Sequence, residues 1–358
     1  MSYISVDFLL DKLYIKEFDI NSNIINRVNE DFLSKLYIKD ISGSFNVLKS
    51  NEKIKEITIP LSKYSSKRQE FLVDGIDLYN DFLPNYQYIS DFHYNKTKDL
   101  IDLNLFYFDF KVFEVANIDI ENPKYEIRTI ELFENITNKK YLFTIKKFNE
   151  VEDNSINKET FVFSSEKIML EEFINFIYKK DPIMLVSWFG DSFYFPYLIN
   201  RCKNLNVDYL KLSPFEKFKT KKVYIFDKQI NIEVPIGRYF IDYKTLLEAY
   251  KKNKIDSYEL ITVSNNEFKE NKHKCLNLEE LFENGSNEYV DKVFFNVETL
   301  NRLDIPYQLF GISKLINYVI NLENILKNPD EQFIIRGGTS LLSLLSKYQF
   351  FIIHCDLK

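Results

Sequence analysis

The run Asn104 to Val115, NLFYFDFKVFEV, constrains this chain more than any other segment. Apolar and aromatic residues fill it almost without a break, as expected of a central strand covered on both faces. Most of Phe106, Tyr107, Phe108, Phe110 and Phe113 therefore belong to a core. Asp109 and Lys111 interrupt the run, and alternation along a strand puts Glu114 on the face opposite Asp109.

The flanking segments place this strand in a layered fold. Up to about residue 100, short alternating apolar segments such as Leu36 to Ile41 and Ile54 to Pro60 predict a β-rich region with few long helices. After the run, IELFE at 130–134 and YLFTIKKF at 141–148 read as neighbouring strands. Ile168, Met169, Phe173, Phe176 and Ile177 recur at helical spacing, and Asp181-Pro182 stops that helix. A strand at 183–188 follows, then a helix starting near Pro196 and running through Arg201, since proline suits a first helical turn. Gly237 to Lys252 reads as a strand passing into an amphipathic helix around Leu246, Leu247 and Tyr250. Helical patterns recur at Glu279 to Asn284, Tyr289 to Leu303 and about 308–326. Strands followed by helices imply an α/β (α+β) layer built onto the β-rich start.

Composition excludes several classes. A chain of 358 residues has room for about two domains, and 33 Phe with 24 Tyr are too much apolar surface for disorder. With 47 basic against 53 acidic residues the net charge is −6, so any nucleic-acid contact must run through a local cluster. The run KFKTKK at Lys217 to Lys222 reads as a solvated loop or such a contact. Cys202, Cys275 and Cys355 are odd in number and widely spaced, fitting neither a disulfide framework nor a zinc site. His93, His273 and His354 show no metal-ligand spacing, and Gly337-Gly338-Thr339 lacks the lysine of a phosphate loop. No basic segment precedes an apolar run at the start, and no stretch reaches the ~18 apolar residues of a membrane span. The expectation is a soluble, cytoplasmic protein that is not secreted and has no membrane partner.

Three segments then carry a specific resemblance. The buried strand reads Tyr107, Phe108, Asp109, Phe110, Lys111. A second stretch reads Trp188, Phe189, Gly190, Asp191, Ser192, Phe193, Tyr194, Phe195, Pro196, Tyr197, followed by Asn200 and Arg201. The third reads Asn296, Val297, Glu298, Thr299, Leu300, Asn301, Arg302, Leu303, Asp304. In order and spacing these resemble the three motifs of the 3′-5′ exonuclease region of family B DNA polymerases, the phage-type branch especially. Asn85 to Asp91 resembles the family's segment before its first exonuclease strand, and Gly237 to Asp242 and Asp256 to Val263 resemble the strand and helix that lead towards the third motif.

The resemblance implies an RNase H-like exonuclease domain at 101–328, with a mixed central sheet flanked by helices. It further implies a β-rich N-terminal domain at 1–100 and a C-terminal segment, 329–358, that packs back on it. The resemblance ends about where a polymerase palm would begin. Proofreading hydrolysis in such a family uses two cations about 4 Å apart, held by several carboxylates. Of the family's four carboxylates this sequence keeps Asp109. Lys111, Tyr194 and Asn296 stand at the other positions, and a shifted register of the third motif puts Glu298 there instead of Asn296. An ammonium at Lys111 repels a cation and can pair with Asp109. Asp191, Glu114 and Asp242 are the candidates for displaced ligands.

The implied reading is a catalytically inactive exonuclease-like module with no functional metal site, so that Mg²⁺ or Mn²⁺ matters only if the exonuclease is active. Trp188, Phe193 and Arg201 are its candidate DNA-binding residues, the aromatic rings by stacking on single-stranded bases. Its partners would be a separately encoded palm, fingers and thumb subunit of a split viral replicative polymerase and single-stranded or primer-template DNA. An active exonuclease with displaced ligands, and a repurposed structural or interaction protein, stand as alternatives.

Overall fold

The computed structural model describes residues 3–19, 23–47, 52–78, 83–93, 104–113, 118–148, 157–225, 228–245, 247, 257, 259–270, 277–304 and 333–334. They fall into two compact units, one holding the described residues up to His93 with Phe333–Ile334, the other those from Asn104 to Asp304. Glu114, Cys275, His273, Leu246, Tyr250, the 308–326 pattern, Gly337-Gly338-Thr339 and the remaining C-terminal segment lie outside the described residues.

In the first unit, β1 (Tyr3–Leu9), β2 (Lys12–Phe18) and β3 (Ile24–Asn29) form an antiparallel sheet. A second sheet holds β4 (Leu33–Lys39), β5 (Phe45–Val47) and β6 (Lys53–Pro60), with Phe333–Ile334 pairing in parallel with Asn46–Val47. Two helices of ten residues, α1 (Tyr64–Val73) and α2 (Pro84–His93), accompany them. Val6, Leu13 and Ile15, inward residues of the alternating strands, pack with Tyr88 and Ile89 of α2. The 85–91 segment is thus helical.

The second unit is mixed α/β. Its six-stranded sheet runs in the order β10-β9-β8-β7-β11-β14, from β7 (Leu105–Lys111), β8 (Thr129–Glu134), β9 (Lys139–Thr144), β10 (Lys158–Val162), β11 (Met184–Ser187) and β14 (Tyr239–Asp242). β7 pairs antiparallel with β8 and parallel with β11, which makes it the inner strand expected from its apolar run. α3 (Glu166–Lys180) is capped by Ser165, which accepts from the Ile168 amide, and it stops at Asp181 with φ 42°. α3 and α4 (Phe195–Asn204) bury Phe173, Ile177, Phe195 and Leu198 against Phe106, Phe108 and Phe110.

Two elements differ from expectation. Lys217 to Lys222 is no loop: β12 (Phe218–Ile225) pairs antiparallel with β13 (Lys228–Pro235). After α5 (Leu260–Phe268) and α6 (Leu278–Glu283), the stretch read as one helix from Tyr289 is two, α7 (Asn287–Lys292) and α8 (Phe295–Asp304). Val293 and Phe294, the turn between them, are both buried, so apolar periodicity could not mark the break. Among the described residues no helix is long and apolar enough to cross a membrane.

Candidate functional site

Alternation along β7 divides its side chains between two chemistries. Phe106, Phe108 and Phe110 enter the core with α3 and α4, while Tyr107, Asp109 and Lys111 face α8. The Tyr107 hydroxyl donates to Asp304 Oδ2 at 2.8 Å near the end of α8, and Asn296 near its start donates to Asp109. Those two bonds fix the register of the helix over the strand.

Asp109 is 2% exposed, and the protein itself satisfies it. Its Oδ1 accepts from the Phe110 amide at 2.9 Å, and its Oδ2 accepts from Asn296 Nδ2 at 2.6 Å and from the Lys111 ammonium. Burial together with the Asp109 charge holds the Tyr194 phenol well above its ordinary pKa. A carboxylate offers about four lone-pair positions, and the Phe110, Lys111 and Asn296 donors engage both of its oxygens.

Glu131 completes the cluster from the next strand. It stands opposite Asp109 in the β7–β8 register, is fully buried, and comes within 3.8 Å of Lys111 Nζ. Burial pushes its carboxyl up to about 8, against the pull of Lys111 and with the push of Asp109. Burial acts to lower Lys111, but Asp109 and Glu131 outweigh it and raise the ammonium above its ordinary value. At neutral pH Glu131 therefore keeps its proton beside the Lys111 ammonium.

Of these residues Lys111, Tyr194 and Asn296 line a cleft of about 930 Å³. Trp188, Phe189, Phe193 and Tyr194 line it from the turn after β11, Phe110 and Lys111 from β7, and Asn296 and Glu298 from α8. The turn is tight. Phe189 has φ 54°, a left-handed conformation that bulky residues rarely adopt, and Gly190 leaves no room for a side chain, since a Cβ there would stand 2.5 Å from the Phe195 ring and 3.0 Å from the Ile241 carbonyl.

The other sequence candidates separate. Trp188 and Phe193 both reach the cleft, although Trp188 is only 5% exposed. Arg201 does not reach it: its guanidinium is bidentate to Glu166, at 2.9 and 2.6 Å, and donates to the Pro123 and Lys124 carbonyls at 3.1 Å. Glu298 pairs with Lys140, while Asn296 is the α8 residue that reaches Asp109. Asp191 and Asp242 form a separate buried group. Asp191 accepts from Lys221 at 2.7 Å and donates its amide to Asp242 Oδ2 at 3.2 Å. Burial and the Asp191 charge raise Asp242 to about 7.

A divalent-ion pair does not fit these donors. It needs several free carboxylate oxygens, whereas the Asp109 oxygens are taken and an ammonium lies against them. Among the described residues no three His, Cys, Asp or Glu stand together so as to hold a metal ion. Sequence reasoning missed Glu131 and the Lys221–Asp191 pair. An acidic residue inside the otherwise apolar TIELF segment was a usable signal, because a buried strand that carries a carboxylate needs a partner for it.

With this geometry in view, the model of the family B DNA polymerase exonuclease domain matches residues 51–263, more than half of the chain. Over 179 residues the chain is 27% identical to the DNA-directed DNA polymerase of Escherichia phage RB69, covering 49% of this chain and 20% of that protein. Over 257 residues it is 24% identical to the DNA-directed DNA polymerase of Enterobacteria phage T4, covering 62% of this chain and 28% of that protein. The aligned part is thus less than a third of either relative's length.

Proposed function

Because the chain belongs to the exonuclease-domain family of the family B DNA polymerases, we propose that it is the non-catalytic exonuclease-type part of a viral replicative polymerase. It supplies scaffold and single-strand contacts to palm, fingers and thumb domains carried by a separate chain. One observation carries the loss of catalysis: both oxygens of the Asp109 carboxylate are engaged by the Lys111, Asn296 and Phe110 donors. Two-metal hydrolysis needs that carboxylate as a ligand. On this reading Lys111, Tyr194 and Asn296 occupy the seats of three lost ligands. The contact from Asn296 to Asp109 favours the register that puts Asn296, not Glu298, in the third motif.

The strand order, with β7 antiparallel to β8 and parallel to β11 and β14 beyond it, supports an RNase H-like assignment. The aromatic lining of the cleft, with Trp188 and Phe193, supports a retained grip on unstacked bases. Arg201 takes no part in that grip, since its donors serve Glu166 and two carbonyls. The test is digestion of 5′-labelled single-stranded DNA by the purified chain with Mg²⁺ or Mn²⁺. The labelled strand stays at full length on this reading, and shortening from the 3′ end that an Asp109→Ala variant abolishes refutes it.

A further inference from the structure

The turn that carries the aromatic wall of the cleft is fastened by charge. Asp191 lies in this turn, Lys221 on β12 and Asp242 at the end of β14, and all three are buried. The Lys221 ammonium donates to Asp191 Oδ2 at 2.7 Å. Asp242 accepts from two amides, those of Asp191 at 3.2 Å and Thr245 at 3.3 Å, so its carboxyl ties the turn to β14. Asp191 Oδ1 and Ser187 Oγ are buried without a hydrogen-bond partner, and Ser187 stands beside Asp242 in the β11–β14 register. The group sets two carboxyls against one buried ammonium, so only one of them can be an anion with a buried counterion.

Neighbouring charges do not fill the gap. Lys244, just beyond β14, is half-buried and exerts the weakest of the influences on Asp242. Lys219, on the same face of β12 as Lys221, is half-buried too, and Glu233 of β13 pairs with Lys203 of α4 at 2.6 Å. Alternation turns Tyr243 to the opposite face of the sheet, towards Tyr107. The turn is also the weaker side of the fastening. Phe189 enters it in a left-handed conformation, whereas β14 is held along its length by β11.

We propose that Asp191, Lys221 and Asp242 form a proton-controlled latch on the aromatic wall of the cleft. With Asp242 protonated the turn stays closed on β14; when Asp242 gives its proton to solvent, two anions face one ammonium and the turn moves away, uncovering Trp188. Burial and the Asp191 charge outweigh the two amide bonds and hold the proton on Asp242 up to about 7. A closed form that binds this proton more tightly than an open, hydrated one gives way as pH rises. The latch works whatever occupies the cleft, so it stands or falls separately from the proposed function.

Trp188 is the single tryptophan of the chain, so its emission reads this turn alone. The test is acrylamide quenching of that emission in the full chain, with far-UV circular dichroism recorded on the same samples. From about pH 6 to about pH 8 the quenching constant should rise about threefold, with its midpoint at about 7 and the dichroism constant. Asp242→Asn cannot ionise and should keep the low constant throughout. Asp191→Asn should do the same, because it leaves Lys221 to the ionised Asp242. Glu131→Gln should retain the full rise, since Glu131 belongs to the separate group on β7 and β8. A wild-type constant that ignores pH overturns the proposal, as does a rise that persists in either folded asparagine variant or disappears in Glu131→Gln.

Discussion

Lys111 and Asp109 stand two residues apart on one face of β7, and the Lys111 ammonium donates to the Asp109 carboxylate. Glu131 faces them from β8, so the pair is part of a buried triad and not a surface ion pair. Removing one member of a buried pair leaves an uncompensated charge, which costs far more than the pair is worth.

Lys111→Met should therefore destabilise the protein by about 3–5 kcal/mol. Glu131→Gln should cost under about 1 kcal/mol at neutral pH, because Glu131 already holds its proton and the amide replaces a neutral acid. Urea unfolding of both variants measures the difference, and equal losses would contradict the assigned charge states.

Stability should fall as pH rises from about 5 to about 8. Glu131, Asp242 and Asp304 are raised to about 8, 7 and 6, each chiefly by burial. In that range the folded chain keeps protons that the unfolded chain has released, so rising pH favours unfolding. The stability these groups lend is complete below the ordinary carboxylate range and is lost as pH passes each folded value. Urea midpoints at mildly acid and mildly alkaline pH test the sign, and Glu131→Gln should flatten the slope by up to about 1.4 kcal/mol per pH unit.

Arg201→Met should cost about 3–5 kcal/mol, since it leaves Glu166 buried and unpaired at the α3–α4 contact. It should leave single-strand affinity unchanged once measured well below the unfolding transition. A large affinity loss in a folded Arg201 variant would return that residue to the DNA-binding set.

Phe189→Asn should raise stability by about 1 kcal/mol, because asparagine tolerates the left-handed conformation that phenylalanine holds at φ 54°. Thermal unfolding of the two proteins reads this directly. A loss would mean that the edge-on contact of the Phe189 ring with Trp188, with centroids 6.1 Å apart, outweighs the backbone strain.

Much of the second unit was legible in its sequence, for reasons that particular residues make plain. The apolar run announced β7, the helical spacing of Met169, Phe173 and Ile177 announced α3, and Pro196 marked the first turn of α4. The β12–β13 hairpin was not legible, because Lys217, Lys219, Lys221 and Lys222 conceal alternation that turns Lys221 inward onto Asp191. Lys111, Tyr194 and Asn296 could be nominated from spacing, but their common target could not. Asp109 lies far from Tyr194 and Asn296 in sequence, and only the fold brings Asn296 to the carboxylate that Lys111 holds and sets the Tyr194 phenol within reach of its charge. At Arg201 a charged residue beside an aromatic motif reads as a ligand contact, and in the fold its guanidinium is bidentate to Glu166 at the start of α3, a pairing that sequence spacing does not disclose.

Metal binding is where the account is most exposed. Mn²⁺ titrated into the full chain, with the electron paramagnetic resonance signal of the free ion recorded at each addition, counts the bound ions without requiring any reaction. The free-ion signal should rise as it does in buffer alone, and Asp109→Ala should follow the same line. Uptake of a pair of ions per chain, lost in Asp109→Ala, would show that the carboxylate is available after all and that Lys111 does not stand in place of the metal.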